Sequence, residues 1–351
     1  MQRSTASLTG PSASKSGQRG PVLELRSLVT RFPGDAGPLN IVDGVNLAVS
    51  SGETLAVVGE SGSGKTMTFL SAIGLIPPPG RVTSGQVLLD GTDLLSHTPE
   101  QLRAVRGARI SMVFQDPLTG LNPVFTIGEQ IVEVLRAHRK LSRAEARKMA
   151  IELLERVQIP DPGRRVDDYP HQLSGGMRQR VLIAMAISLD PNVLIADEPT
   201  TALDVTVQAQ VLELLTELRE ESGMAMVLIT HDLGLVARHA DRVAVMYAGR
   251  VVEYGTAEAV FEETAHPYTL SLFRGVPSLD TDTAQDLIEI EGQPPDPEFL
   301  PPGCAFEPRC FLGQGRADCR TTRPGLQPTP GTDHQTACLH SAELTATRAR
   351  A

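Results

Sequence analysis

Four apolar runs stand out along the middle of the chain: "TLAVVG" (54–59), "RISMVFQ" (109–115), "NVLIAD" (192–197) and "AMVLIT" (225–230). Each is short, nearly continuous and rich in β-branched residues, which predicts a strand buried on both faces. The first is followed by a Gly/Ser loop and then by "KTMTFLSAIGLI" (65–76), which reads as a helix. Strands separated by helical stretches predict an α/β fold with a mainly parallel core. From about 128 to 190 the pattern is helical throughout, in "GEQIVEVLRAHRK", "SRAEARKMAIELLERV" and "GGMRQRVLIAMAISL". That is a helical insertion between two core strands. "VLELRSLVTRF" (22–32) and "QVLLDG" (86–91) read as edge β structure outside the core, and "DRVAVMYAGRVVEYG" (241–255) as a hairpin turning at Ala248-Gly249. Beyond about 275 proline and glycine rise, as in "EGQPPDPEFLPPG" (291–303), and apolar periodicity fades into a linker and a small tail module. The first twenty residues are rich in Ser, Gly and Thr and lack the apolar core of a signal peptide, which predicts a disordered arm. The pattern divides the chain into an arm (1–20), a main domain (21–260) with the helical part at about 117–190, and a C-terminal extension (261–351).

Composition narrows the function. An apolar fraction of 41% and a charged fraction of 21% suit a soluble globular protein, and a formal charge of −10 opposes phosphate-backbone contact, so no nucleic acid is expected. No apolar run reaches the roughly 18 residues of a spanning helix. The longest, "VLIAMAISL" (181–189), stops at Asp190. A membrane role would therefore run through a partner.

"GESGSGKT" (59–66) fits G-x-x-x-x-G-K-[ST]. Gly59, Gly62 and Gly64 let the backbone curl so that N–H groups, those of Ser61 and Ser63 included, point at phosphate oxygens. The helix that follows turns its positive end to the same anion. Lys65 can reach the β and γ phosphates, and the Thr66 hydroxyl can ligate Mg²⁺. The bland alternative, a glycine-rich turn holding Lys-Thr by chance, is weakened by the strand before it and the helix after it. "NVLIADEP" (192–199) is an apolar strand ending in two carboxylates. Side-chain alternation would send Asp197 to Mg²⁺ and Glu198 to an attacking water. A base beside the γ-phosphate fits phosphoryl transfer to water.

Further stretches follow in order: Gln115, "LSGGM" (173–177), "ALD" (202–204) and "THD" (230–232). With the phosphate loop and the Asp-Glu pair, they resemble the ATP-binding subunits of ABC transporters over about residues 22–260. The resemblance implies a P-loop NTPase core of the ABC type with an antiparallel β subdomain and a helical subdomain. It implies that Phe32 stacks on adenine and that Gln115 senses Mg²⁺ and contacts the membrane subunit. Ser174, Gly175 and Gly176 would touch the γ-phosphate of ATP held by a second ATPase subunit. Asp204 would shape that dimer contact, and His231 would act as a γ-phosphate switch. Ser174 also fits physically, as a cap on a helix whose positive end can face an anion. Met177 departs from the glutamine most common in the family, but "LSGGMRQR" is typical of the oligopeptide/dipeptide/nickel importers. "QDPLTGLNP" (115–123), "HPYTLSLF" (266–273) and "GCAFEPRC" (303–310) resemble that branch as well. The implied partners are a second ATPase subunit, two transmembrane permeases and an extracytoplasmic solute-binding protein, with this chain peripheral on the cytoplasmic face. The cargo is read as peptide, with nickel or another small solute as the alternative. A soluble ABC ATPase outside transport is a further rival, as is a redox sensor dominated by its tail.

All four cysteines lie in the tail: Cys304, Cys310, Cys319 and Cys338. In a cytosolic protein disulfides rarely persist, and four thiols in one small module suggest a metal site. Structural zinc usually shows C-x₂₋₄-C pairs, absent here, whereas iron–sulfur clusters accept varied spacings. The branch resemblance implies a C-terminal extension that in some members holds a [4Fe–4S] cluster. Zinc and four unlinked buried thiols are the alternatives. His334 and His340 are read as solvated surface. No phosphate-site residue lies near the cysteines in sequence, so a cluster there is read as structural or regulatory, one that could stiffen the tail against the partner ATPase or the permease. Loss of one cysteine is expected to leave ATP binding largely intact.

Overall fold

The computed structural model describes residues 20–35, 37–116, 120–201, 203–274, 290–329 and 333–348. The arm expected over 1–20 lies outside them except for Gly20, as do residues 117–119, Ala202 and most of the linker. The strands are β1 (Leu23–Gly34), β2 (Gly37–Val49), β3 (Thr54–Val58), β4 (Arg81–Leu89), β5 (Thr92–Asp93) and β6 (Ile110–Val113). They continue with β7 (Val193–Asp197), β8 (Ala225–Ile229), β9 (Arg242–Tyr247), β10 (Arg250–Thr256), β11 (Gln327–Pro328) and β12 (His334–Thr336). The helices that matter to the site are α1 (Lys65–Ala72), α2 (Ile127–His138), α3 (Arg143–Arg156), α4 (Gly175–Ile187), α5 (Val205–Ser222) and α6 (Pro267–Arg274).

The four apolar runs, as β3, β8, β7 and β6, form one half of an eight-stranded sheet, ordered β11-β12-β10-β9-β3-β8-β7-β6, with β6 at its edge. From β9 to β6 neighbouring strands are parallel, with Leu55 opposite Val227 and Leu194 opposite Met226. Every residue of β3, β7 and β8 is buried. That two-sided burial is why these strands read as continuous apolar runs. β1, β2, β4 and β5 make a separate antiparallel sheet, ordered β2-β1-β4-β5. The hairpin β9–β10 turns at Ala248 (φ 47°) and Gly249 (φ 77°), the doubly left-handed turn whose twist matches its strands.

α2 and α3 are opened by capping boxes, Thr126 with Glu129 and Ser142 with Glu145. They pack with α4 around Ile131, Leu135, Leu154 and Ile183 in a core continuous with Leu194 and Leu228 of the sheet.

The tail does not stand apart. β12 pairs antiparallel with β10, Tyr254 opposite Gln335, so the tail extends the main sheet. Phe306 is fully buried, with its ring 5.3 Å from the rings of both Tyr247 and Tyr268. It shares a core with Ala56, Val58 and Val245. Burying such a side chain contributes roughly 1.5–3 kcal/mol. The sequence shows little apolar core in the tail because most of the buried residues of that core belong to the main domain.

Candidate active site

β3 delivers the chain to Gly59, whose φ is 147°. A Cβ there would sit 2.2 Å from the carbonyl oxygen of Met246, so close approach to β9 requires glycine. Ser61 and Gly62 are exposed at the loop's crest, and Gly64 adjoins the first turn of α1. Ser63 is buried, and its hydroxyl has no hydrogen-bond partner among the described residues. Lys65 arches back so that Nζ donates to the carbonyls of Gly59 (2.8 Å) and Glu60 (2.9 Å). Burial pushes the Lys65 ammonium below its ordinary pKa, opposed by the charges of Glu198, Asp197 and Glu60.

Thr66 Oγ1 donates to Asp197 Oδ1 at 2.9 Å, tying α1 to the end of β7. Asp197 is 2% exposed, and burial pushes its carboxyl up to about 6, with the Thr66 hydrogen bond pulling the other way. A hydroxyl and a buried carboxylate oxygen are the hard donors that Mg²⁺ takes.

Glu198 corrects one sequence argument. Its φ is 44°, so the chain leaves the strand in the left-handed region immediately after Asp197. The carboxylates diverge through this backbone reversal, not through strand alternation. Such a conformation in a non-glycine residue costs of order 1–3 kcal/mol and persists where its surroundings over-determine it. Here they do: Glu198 Oε2 accepts from Gln115 Nε2 (2.8 Å) and Thr201 Oγ1 (2.9 Å). His231 Nδ1 lies 3.5 Å from Glu198 Oε1, on a ring that is 68% exposed. Thr66 thus meets Asp197, Gln115 and His231 meet Glu198, and Lys65 feels the charge of both carboxylates.

The other sequence-derived residues lie elsewhere. Ser174 caps α4 by accepting from the Met177 N–H (3.3 Å), and Asp204 caps α5 by accepting from the Val207 N–H (3.0 Å). A Cβ on Gly176 would lie 2.6 Å from Val207 Cγ1, and one on Gly175 3.4 Å from Leu203, so the two helix starts are close-packed. Their caps serve their own helices; neither cap is shared with the phosphate loop. The Phe32 ring packs on Gly80, where a Cβ would come within 2.2 Å of Cζ. It lines a surface cavity with Arg31, Pro79 and Arg81, and no loop residue shares that lining.

Residues 42–201 match the ABC transporter family, and residues 252–319 match the family described as the oligopeptide/dipeptide transporter C-terminal region. The dipeptide transport ATP-binding protein DppD of Bacillus subtilis is 51% identical over 290 residues, 82% of this chain and 86% of that one. The chain belongs to the ATP-binding subunits of ABC transporters. The oligopeptide transport ATP-binding protein OppD of the same organism is 50% identical over 286 residues, 81% of this chain and 80% of its own length. Among solved structures, the dimeric ATP-binding cassette MJ0796 bound to ADP and Pi superposes with a TM-score of 0.60 at 29% identity. It covers 67% of this chain and 98% of that one. This chain is therefore an ABC-type ATPase with the cassette fold.

Downstream of the cassette, Cys304, Cys310, Cys319 and Cys338 line one apolar cavity with His266, Phe306, Leu312 and His340. Burial raises every one of the thiols, Cys319 to about 11 and Cys338 to about 12. For Cys338 the other three cysteines add to that rise, which marks the four as electrostatic neighbours. His334 corrects a second expectation. It is fully buried and its Nε2 lies 2.8 Å from the equally buried Glu253 Oε1. His340 is only 17% exposed and pairs with Asp318 (2.9 Å) and Glu343 (3.1 Å).

Sequence reasoning missed Thr201, which holds Glu198, and Glu60, a wildcard in the loop motif. Arg309 and Tyr268, from the tail, both bond to Glu60. No local pattern signals either one.

Proposed function

We propose that this chain hydrolyses ATP to drive import of peptides across the cytoplasmic membrane, as a peripheral subunit on the cytoplasmic face. The observation that carries the reading is Glu198 held by Gln115, Thr201 and His231 beside the Thr66–Asp197 pair. It occurs in a chain whose tail matches oligopeptide/dipeptide transporters. The loop from Gly59 to Thr66 binds the phosphates, with Lys65 moving from its own carbonyls to the phosphate oxygens. Thr66, Asp197 and Gln115 would hold Mg²⁺, which supplies positive charge to the phosphates. Glu198 takes the proton of the attacking water, and His231 is the switch beside it. Phe32 stacks on adenine. Ser174, Gly175 and Gly176, with Asp204, face the nucleotide of a second ATPase subunit, consistent with their separation from this chain's own loop. The remaining partners are two permeases and an extracytoplasmic solute-binding protein. Solubilised membranes test this assembly: affinity purification of the chain should recover membrane-spanning subunits in stoichiometric amount. Recovery of ribosomes or DNA instead would contradict it.

The tail fits a [4Fe–4S] cluster held by Cys304, Cys310, Cys319 and Cys338. The four thiols converge on one water-poor cavity. Among the described residues, no three cysteine sulfurs lie within 4.8 Å of one another. Tetrahedral zinc, with Zn–S near 2.3 Å, needs sulfurs about 3.8 Å apart, whereas a multi-iron core spans a wider set. Ligation also offsets the cost of ionising thiols of which Cys310 and Cys319 are buried and Cys304 and Cys338 half-buried. Anaerobically purified protein should be brown, with about four irons and four sulfides per chain. Serine at any one cysteine should lower the iron content. Stoichiometric zinc without iron or sulfide would move the assignment to a zinc module, and absence of any metal would count against a metal site in the tail.

A further inference from the structure

The phosphate loop carries a carboxylate of its own. Glu60 follows Gly59 directly, and a negative side chain in a loop that binds a polyanion works against binding. Arg309, from the tail, answers it. Its guanidinium forks onto Glu60, Nη1 at 2.7 Å from Oε2 and Nη2 at 2.9 Å from Oε1. The arginine side chain is only 7% exposed, and that bond raises its pKa above the ordinary value. Nη1 also reaches the Tyr247 hydroxyl (3.3 Å), and Nε reaches the Glu291 carbonyl (3.1 Å). Such forked pairs are directional as well as strong.

A second grip acts on the backbone. The Glu60 N–H donates to the Tyr268 hydroxyl at 2.8 Å, from α6, where Tyr268 is fully buried. The Glu60 carbonyl in turn accepts from Lys65 Nζ. The loop residue is thus held at side chain and backbone by residues downstream of 260. Arg309 itself sits in the short turn Glu307–Arg309 between two of the clustered cysteines. Glu307 N–H donates to the Cys304 carbonyl (3.0 Å) and Cys310 N–H to the Glu307 carbonyl (3.1 Å). What fixes these thiols fixes Arg309.

We propose that the cysteine module is a positioning element for the phosphate loop, in which Arg309 neutralises Glu60 and thereby sets the affinity for ATP. It rests on the reading of Gly59–Thr66 as the phosphate loop and not on which metal the cysteines hold. Without Arg309, Glu60 faces the triphosphate as an uncompensated charge of like sign and also competes for Lys65.

The test is Mg·ATP titration of the full chain, with thermal unfolding as the check on folding. Arg309→Met should weaken ATP binding about tenfold. Adding Glu60→Gln to Arg309→Met should restore affinity to near the wild-type value, because the charge that needed neutralising is gone. A merely structural role for Arg309 predicts no such rescue. An unchanged dissociation constant in Arg309→Met, or a double variant as weak as the single, overturns the proposal. Should Arg309→Met not fold, Glu60→Gln alone decides: with the Arg309 charge left uncompensated beside the loop, affinity should rise, and an unchanged or lower affinity overturns the proposal. Failure of the wild-type chain to bind Mg·ATP would instead refute the phosphate-loop reading.

Discussion

Glu198→Gln is expected to leave ATP bound and to reduce steady-state turnover by about 10²–10⁴-fold, the usual cost of losing a general base. The substitution keeps the size of the side chain and one acceptor oxygen. Thr201 or Gln115 can still donate to it, so the left-handed turn at Glu198 stays supported. What is lost is the anionic oxygen that, in the proposed role, accepts a proton from water. Asp197 cannot substitute. It is nearly inaccessible, and one of its oxygens is committed to the Thr66 hydroxyl. ATPase assays on the purified variant check the expectation, and near-normal hydrolysis would remove Glu198 from the mechanism.

Lys65→Ala should act one step earlier, on binding. The ammonium is already largely stripped of water, so its transfer to phosphate costs little further desolvation. A charge-assisted hydrogen bond of this kind contributes about 1.5–3 kcal/mol, which corresponds to roughly a 10- to 100-fold loss of ATP affinity. The glycine backbone cannot supply that charge, and the guanidinium of Arg309 is already engaged by Glu60. Isothermal titration with ATP reads the effect; an unchanged dissociation constant would contradict it.

The sequence exposes most of the cassette because its signals are local. β3, β7 and β8 are apolar without interruption, since both of their faces are covered, and the phosphate loop is set by glycines and Lys-Thr within eight positions. Features set by tertiary contact stay hidden. The divergence of Asp197 and Glu198 depends on a left-handed residue that no spacing rule announces. His334 looks solvated in the sequence because its partner, Glu253, is 81 residues away. Arg309 and Glu60 are separated by 249 residues, and a motif wildcard conceals the carboxylate. The cysteines show no close pair in the chain, yet the fold gathers them around one cavity.

The central claim, that this chain's ATP hydrolysis drives peptide import, is most directly tested by uptake of a labelled peptide mixture. The cells used should lack the native gene and carry either the wild-type chain or Glu198→Gln at equal level. The account predicts accumulation with the wild-type chain and none above background with Glu198→Gln. Equal peptide accumulation in both strains would contradict it.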